Sequence, residues 1–236
     1  IKLIIIHYTA LKKTPEAISF LCNKGTKVSS HYLISPDGLV YNLVNDKFRA
    51  WHAGESFWQN ITDINSISIG IELDYNPYGK NNKFSSKMIS SLKKLIIKLK
   101  NKYNISEHNI LAHSDIAPFR KKDPGKYFPW KSLTSSKIIP NFKKLRKDQI
   151  KVIEYWFCIN NLKTKKQQII FVLTFIGYDT RNVNKNYKLY NRLISAYKTR
   201  YLNGVDKINN KLFYYTLIKH LYNFLLTKNK INLIIN

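Results

Sequence analysis

Cysteine is scarce: Cys22 and Cys158 are the only two in 236 residues. They lie far apart and outside any CxxC spacing, which speaks against a disulfide framework or a cysteine-built metal site. Each is flanked by apolar residues, so both are expected as buried free thiols, and the redox compartment stays open. No apolar run approaches the roughly 18 residues that a membrane-spanning helix needs. Acidic residues are few, 14 against 40 Lys and Arg, giving a formal net charge of +26. Glycine is also rare and nearly disappears after Pro140. The initiator methionine is missing, since the chain starts at Ile1. Trimming is therefore expected, and a signal peptide or lipid anchor can have been lost with it.

The charge invites a polyanion partner, but the lysines are scattered and form no stripe. They accompany an excess of Ile, Asn and Tyr, as an AT-rich coding sequence produces. No base-reading motif joins them, so no nucleic-acid partner is expected. A field of this sign still attracts acidic substrates, and salt weakens it. Against these shortages, 44% of residues are hydrophobic and 14% aromatic, enough for an ordered core in one large domain or two smaller ones.

Ile1 to His7 reads as a buried strand ending in a histidine. Thr14-Pro15-Glu16 starts a helix, with Thr14 as its cap and Gly25 closing it. Segments 31–35 and 39–44 flank Pro36-Asp37-Gly38 as a hairpin. In Ser66 to Leu73, Ile67, Ile69, Ile71 and Leu73 face one way while Ser68, Gly70 and Glu72 face the other. That predicts a half-buried strand with Glu72 on its polar side. Ser85 or Ser86 caps a helix carrying Met88, Leu92, Leu95, Ile96, Leu99 and Tyr103 at helical spacing. Asn109 to His113 is a second short strand ending in histidine.

Alternating strands and helices predict an α/β fold, with a mixed, mainly parallel central sheet flanked by helices. After Pro140 the texture turns helical: 165–176 stopped by Gly177, 187–201, and 210–226 with Leu212, Tyr215, Leu217, Leu221 and Phe224 inward. The expected organisation is a catalytic domain over 1–145 and a small three-helix region over 146–236, including a connection with a helix of its own.

Function gathers at the carboxyl ends of parallel strands, where His7 and His113 fall. With Asp123 they make two imidazoles and one carboxylate. That set holds a catalytic zinc and leaves a fourth position open. Asp123 precedes Pro124, which restricts its backbone and fixes its direction. Zinc in such a set stays a strong Lewis acid and can bring the pKa of water to about 7. Glu72, on a packed strand, is the candidate general base. Lys121 is a candidate for oxyanion stabilisation, although 40 basic residues make position alone a weak argument.

These residues stand in a wider pattern: Ile5-Ile6-His7-Tyr8-Thr9, Val28-Ser29-Ser30-His31-Tyr32-Leu33-Ile34, Arg49-Ala50-Trp51-His52-Ala53-Gly54, Ser68-Ile69-Gly70-Ile71-Glu72, and His113 to Gly125. Over most of residues 1 to 140, and in this order, the chain resembles the zinc-dependent N-acetylmuramoyl-L-alanine amidases of the type-2 family, which share a fold with peptidoglycan recognition proteins. The resemblance implies one Zn2+ on His7, His113 and Asp123, Glu72 as catalytic base and Lys121 as transition-state stabiliser. It implies substrate-groove positions at Arg49, Trp51 and His52, with His31 and His52 both matching positions that are mainly structural or line the groove.

Further on, Phe175-Ile176-Gly177-Tyr178, Ala196 to Tyr201 and Gly204-Val205-Asp206 are similar to the three-helix peptidoglycan-binding domain, by a shorter motif. The combination resembles the two-domain envelope amidases. It implies peptidoglycan or muropeptide fragments as partners, ordinary or 1,6-anhydro. It also implies a monomer, and a place in the bacterial envelope or periplasm with outer-membrane anchoring or the cytoplasm as other locations. The competing reading is a non-catalytic peptidoglycan receptor. Receptors of this fold usually lack part of the metal set, and here the set is complete.

Overall fold

The computed structural model describes residues 1–79, 83–202 and 209–227. Five strands form one sheet: β1 (Leu3–Tyr8), β2 (Tyr32–Ile34), β3 (Val40–Asn42), β4 (Ser68–Leu73) and β5 (Ile110–Ala112), in the order β3-β2-β4-β1-β5. Only the β2–β3 hairpin is antiparallel; β2, β4, β1 and β5 pair in parallel. The mainly parallel sheet read from the sequence is therefore present. The hairpin turns at Gly38, whose positive φ of 91° suits glycine.

Strand β4 is not half-buried as the alternation suggested. All six of its residues are buried. The alternation holds, but both faces are covered, as in parallel sheets generally. Ile4, Ile6, Ile69, Ile71, Leu73 and Ile110 pack on helix α2 (Ser86–Tyr103) through Met88, Leu92, Ile96 and Leu99. Ser85 caps this helix by accepting from the Met88 N–H at 3.1 Å, and Asn104 ends it in the left-handed region. The other face of the sheet carries Leu3, Ile5 and Leu111.

That second face is covered by the C-terminal helices. Following the short α3 (His113–Ile116) and α4 (Trp130–Ser135) in the chain, four are described there: α5 (Lys147–Ile159), α6 (Lys165–Ile176), α7 (Tyr187–Tyr201) and α8 (Asn210–Thr227). One continuous hydrophobic cluster joins Leu3, Ile5, Leu111 and Ile116 to Phe157, Leu173, Leu193 and Leu217. Gly177 ends α6 with a positive φ of 132°, as its place in the sequence indicated. A Cβ there would come 2.6 Å from Gln59 and 3.0 Å from Trp58, so glycine also permits the docking of α6 on the 58–59 loop. The stretch Gly204-Val205-Asp206 lies outside the described residues.

Several local readings differ. Thr14 is the first residue of α1 (Thr14–Cys22) rather than its cap, and the helix ends at Asn23, ahead of Gly25. Leu212 is 52% exposed, and Phe213 takes the inward position. Both cysteines are free, but both are exposed rather than buried. Each lies at or near the end of an amphipathic helix, where apolar sequence neighbours point elsewhere. No helix among the described residues is long and apolar enough to cross a membrane.

Candidate active site

Strand β1 presents His7 beside Glu72, since the two are Cα partners in the parallel β1–β4 register. Equivalent register positions put both side chains on the same sheet face. Strand β5 ends at Ala112, and the chain turns at once into a single helical turn, α3 (His113–Ile116), whose first residue is His113. The following loop returns Asp123, tied by the Ser114 N–H donating to the Asp123 carbonyl at 3.0 Å. His7, His113 and Asp123 are all buried, and one ligand atom of each lies within 4.8 Å of the others.

The hydrogen bonds behind the histidines fix which nitrogens face inward. Ser68 Oγ donates its one proton to the Ile64 carbonyl at 2.7 Å, so it accepts from His52 Nε2 at 3.1 Å. His52 Nδ1 is then an acceptor, and His7 Nε2 donates to it at 3.0 Å. On the other side, His113 Nε2 is 3.0 Å from the Ala53 carbonyl, which can only accept. When neutral, each ring is thereby left with a bare lone pair at Nδ1.

Those two nitrogens lie 2.9 Å apart, and Asp123 Oδ2 lies 3.2 Å from His7 Nδ1 and 2.9 Å from His113 Nδ1. Three acceptors without a shared proton repel one another unless a cation sits among them. Two imidazoles and a carboxylate are a donor set of the kind zinc takes. The residues fit a metal.

The electrostatics agree. Burial, reinforced by neighbouring His113, lowers the His7 pKa to about 4, so the ring is neutral and can act as a ligand at pH 7. Burial also drives His52 well below its ordinary value, with His7 adding to the effect. Burial opposes the charge of Asp123, and only positive charge at the His113 and His7 imidazoles holds the carboxyl low, a part that a cation among them takes when both rings are neutral. Glu72 behaves in the opposite way. Burial, with the Asp123 charge behind it and Lys121 opposing, raises it to about 8. Its Oε2 is buried with no hydrogen-bond partner among the described residues. An unpaired carboxylate oxygen at this depth is costly unless something is to occupy the space it faces.

Lys121 lines a cavity of about 730 Å³ outside the triad, a volume suited to a substrate of modest size. Tyr8, Tyr75 and Tyr127 line one side, and Arg192, Ser195 and Thr199 of α7 line another. No sequence pattern marks this second wall. Arg49 and Trp51 lie elsewhere. Arg49 pairs with Asp63 at 2.8 Å and stacks 4.4 Å over the Trp51 ring, which is 58% exposed beside a separate cavity of about 460 Å³. His52, expected on the groove wall, is buried behind His7 with both ring nitrogens engaged. Both ring nitrogens of His31 are engaged by backbone: its Nδ1 accepts from the Gly70 N–H at 3.0 Å and its Nε2 lies 3.1 Å from the Phe48 carbonyl. Ser68, which sets the tautomers of both His52 and His7, was overlooked. The strand alternation had already placed it on the same face as Glu72.

Comparison with known proteins agrees with this geometry. N-acetylmuramoyl-L-alanine amidase AmiD of Escherichia coli is 38% identical over 151 residues, which cover 58% of this chain and 54% of that protein. A 1,6-anhydro-N-acetylmuramyl-L-alanine amidase, AmpD of Haemophilus influenzae, is 40% identical over 112 residues, covering 47% of this chain and 59% of that protein. The chain thus spans little more than half the length of these relatives. The structure of E. coli AmiD in complex with the substrate anhydro-N-acetylmuramic acid-L-Ala-D-gamma-Glu-L-Lys superposes with a TM-score of 0.75 at 26% identity, covering 98% of this chain and 90% of that one. The Amidase_2 profile, described as N-acetylmuramoyl-L-alanine amidase, matches residues 1–126 and with them all three candidate metal ligands, Glu72 and Lys121, so the chain belongs to this amidase family.

Proposed function

We propose that this chain is a zinc-dependent N-acetylmuramoyl-L-alanine amidase. It hydrolyses the amide between the lactyl group of N-acetylmuramic acid, ordinary or 1,6-anhydro, and the L-Ala of the stem peptide. The observation that carries the reading is the convergence of the two bare Nδ1 atoms and Asp123 Oδ2 within 3.2 Å, beside the unpartnered Glu72.

His7, His113 and Asp123 would hold the ion. Zinc bound there supplies Lewis acidity that acidifies water and polarises a carbonyl, and its charge favours ionised Glu72 against the effect of burial. Glu72 takes a proton from the attacking water and passes it to the leaving nitrogen as the C–N bond breaks. The products are a lactyl carboxylate and the free amino group of L-Ala. Lys121, on the cavity wall, compensates the negative charge that develops on the carbonyl oxygen. The surrounding tyrosines and α7 present a partly apolar, partly basic wall to a peptide bearing carboxylates.

The substrate class is supported by the AmiD complex, whose ligand is an anhydromuropeptide. A wall-derived substrate favours an envelope or periplasmic location, which cell fractionation tests. Residues 146–236 are proposed as the second, wall-associated domain. Activity is tested by incubating zinc-loaded protein with defined muropeptides, with and without the anhydro end, and following free stem peptide by mass spectrometry. Release from the unaltered protein but not from Glu72→Gln is expected. Binding without release would instead favour the receptor reading.

A further inference from the structure

A buried ionic cluster joins the C-terminal helices to the turn that carries His113. Asp115, two residues after His113, is completely buried. Its Oδ2 accepts from the Ala112 N–H at 2.8 Å, directly before His113. Its Oδ1 accepts from the Tyr178 hydroxyl at 2.6 Å. Arg200 Nε stands 3.6 Å from Oδ2, and Arg200 Nη2 donates to the Ile110 carbonyl at 2.7 Å. The guanidinium lies 3.4 Å from the centre of the Trp130 ring, which walls it off from water. Tyr178 is 1% exposed and Arg200 4%.

A four-residue helical turn cannot hold its own shape, because a helical nucleus is unfavourable without tertiary support. Here the support comes from Tyr178, just beyond α6, and Arg200, on α7. Together with Asp115 they grip the chain at Ile110, Ala112 and the turn itself, on both sides of the strand-to-helix junction. Burying a charged pair is a poor route to stability, since desolvation offsets much of the attraction. This pair is buried at the junction that aims a metal ligand. Supporting residues of that kind set metal affinity by fixing ligand orientation.

We propose that Tyr178 and Arg200 are positioning residues for His113, acting through Asp115, so that the C-terminal helices help set the affinity of the metal site. The proposal rests on the metal reading above, and the first measurement separates the two. Zinc affinity is measured on the full chain by competition with a chromophoric chelator, and ligand geometry by the visible spectrum of the cobalt-substituted protein. If the unaltered protein binds no zinc, the metal reading fails and the positioning role falls with it. If it binds, Tyr178→Phe, which removes a single hydroxyl, is expected to weaken zinc about tenfold or more and to shift the cobalt bands. Arg200→Lys, which keeps the charge but not the bond to Ile110, should lie between the two. Tyr215→Phe is the control, removing a hydroxyl in the same helical region that accepts from the Leu145 N–H instead. A folded Tyr178→Phe protein with unchanged zinc affinity and cobalt spectrum overturns the positioning role. So does an equal loss of affinity in Tyr215→Phe, which would point to general loosening.

Discussion

His7 donates its Nε2 proton to Nδ1 of His52 across 3.0 Å, and that bond decides which nitrogen of His7 is free for a metal. The direction is imposed from further back, by Ser68 and the Ile64 carbonyl. His52→Ala removes the acceptor and frees the ring of His7 to turn or to change tautomer. Zinc affinity should fall about 10–100-fold, as measured by chelator competition. An unchanged affinity would show that the His7 ring is held by packing alone.

Glu72→Gln separates binding from turnover. The amide keeps the shape of the side chain but cannot accept a proton from water. Turnover should drop by about 10²–10⁴, the usual contribution of a general base. Zinc content by elemental analysis should match that of the unaltered protein. Full activity in this variant would remove Glu72 from the mechanism.

The same residue makes the metal-free protein sensitive to pH. Its folded-state pKa is raised from 4.5 to about 8, so between those values the folded state binds more protons than the unfolded chain. Stability contributed this way is fully present below 4.5 and is lost as pH rises through about 8. His7 acts in the opposite sense, its pKa lowered from 6.5 to about 4, so its contribution grows as pH rises across that lower window. The two oppose each other at acid pH, and only Glu72 of this pair still titrates between 6.5 and about 8. The melting temperature of chelator-treated protein should fall across that upper window, and the slope should flatten in Glu72→Gln.

Metal removal gives a direct stability readout. The two Nδ1 atoms and Asp123 Oδ2 oppose one another when no cation lies between them. Zinc at about a thousand times its dissociation constant should stabilise the folded state by about 4 kcal/mol. Thermal denaturation with zinc and with excess chelator measures this. His113→Ala should abolish the difference between the two conditions.

Lys121→Ala should lower kcat by about 10²–10³, the usual cost of losing one oxyanion partner, while leaving zinc affinity near its original value. A change confined to KM would make Lys121 a substrate contact instead. Lys122→Ala, which removes a neighbouring cation on the same cavity wall, controls for loss of general positive charge.

Much of the site was legible because its residues sit where short-range pattern is strong. His7 ends an unbroken apolar run, and the alternation of Ser68, Gly70 and Glu72 marks a strand face. Other features depend on contacts between distant segments. Nothing near His52 indicates that it lies behind His7, 45 positions away. The exposure of Cys22 and Cys158 depends on which face of each helix docks, while their sequence neighbours are apolar on either reading. The half-buried reading of β4 failed for the same reason. Its polar face is covered in part by His52, whose ring lies against Gly70 from 18 positions away in the chain.

Gly70 offers the sharpest test of that packing. It lies on β4 two residues before Glu72, and a Cβ added there would stand 2.4–2.8 Å from the ring of His52. Both the strand and the imidazole are buried, so neither can move aside without disturbing neighbours. Overpacking of this sort costs about 1–3 kcal/mol. The expected result for Gly70→Ala is therefore double: a lower melting temperature, and a loss of zinc affinity similar to that of His52→Ala. In the double variant Gly70→Ala/His52→Ala the clash is gone, so the added methyl should cost little beyond His52→Ala alone. If the two effects simply add, Gly70 and His52 are not in contact in the working protein, and the chain of bonds from Ile64 to His7 has another geometry.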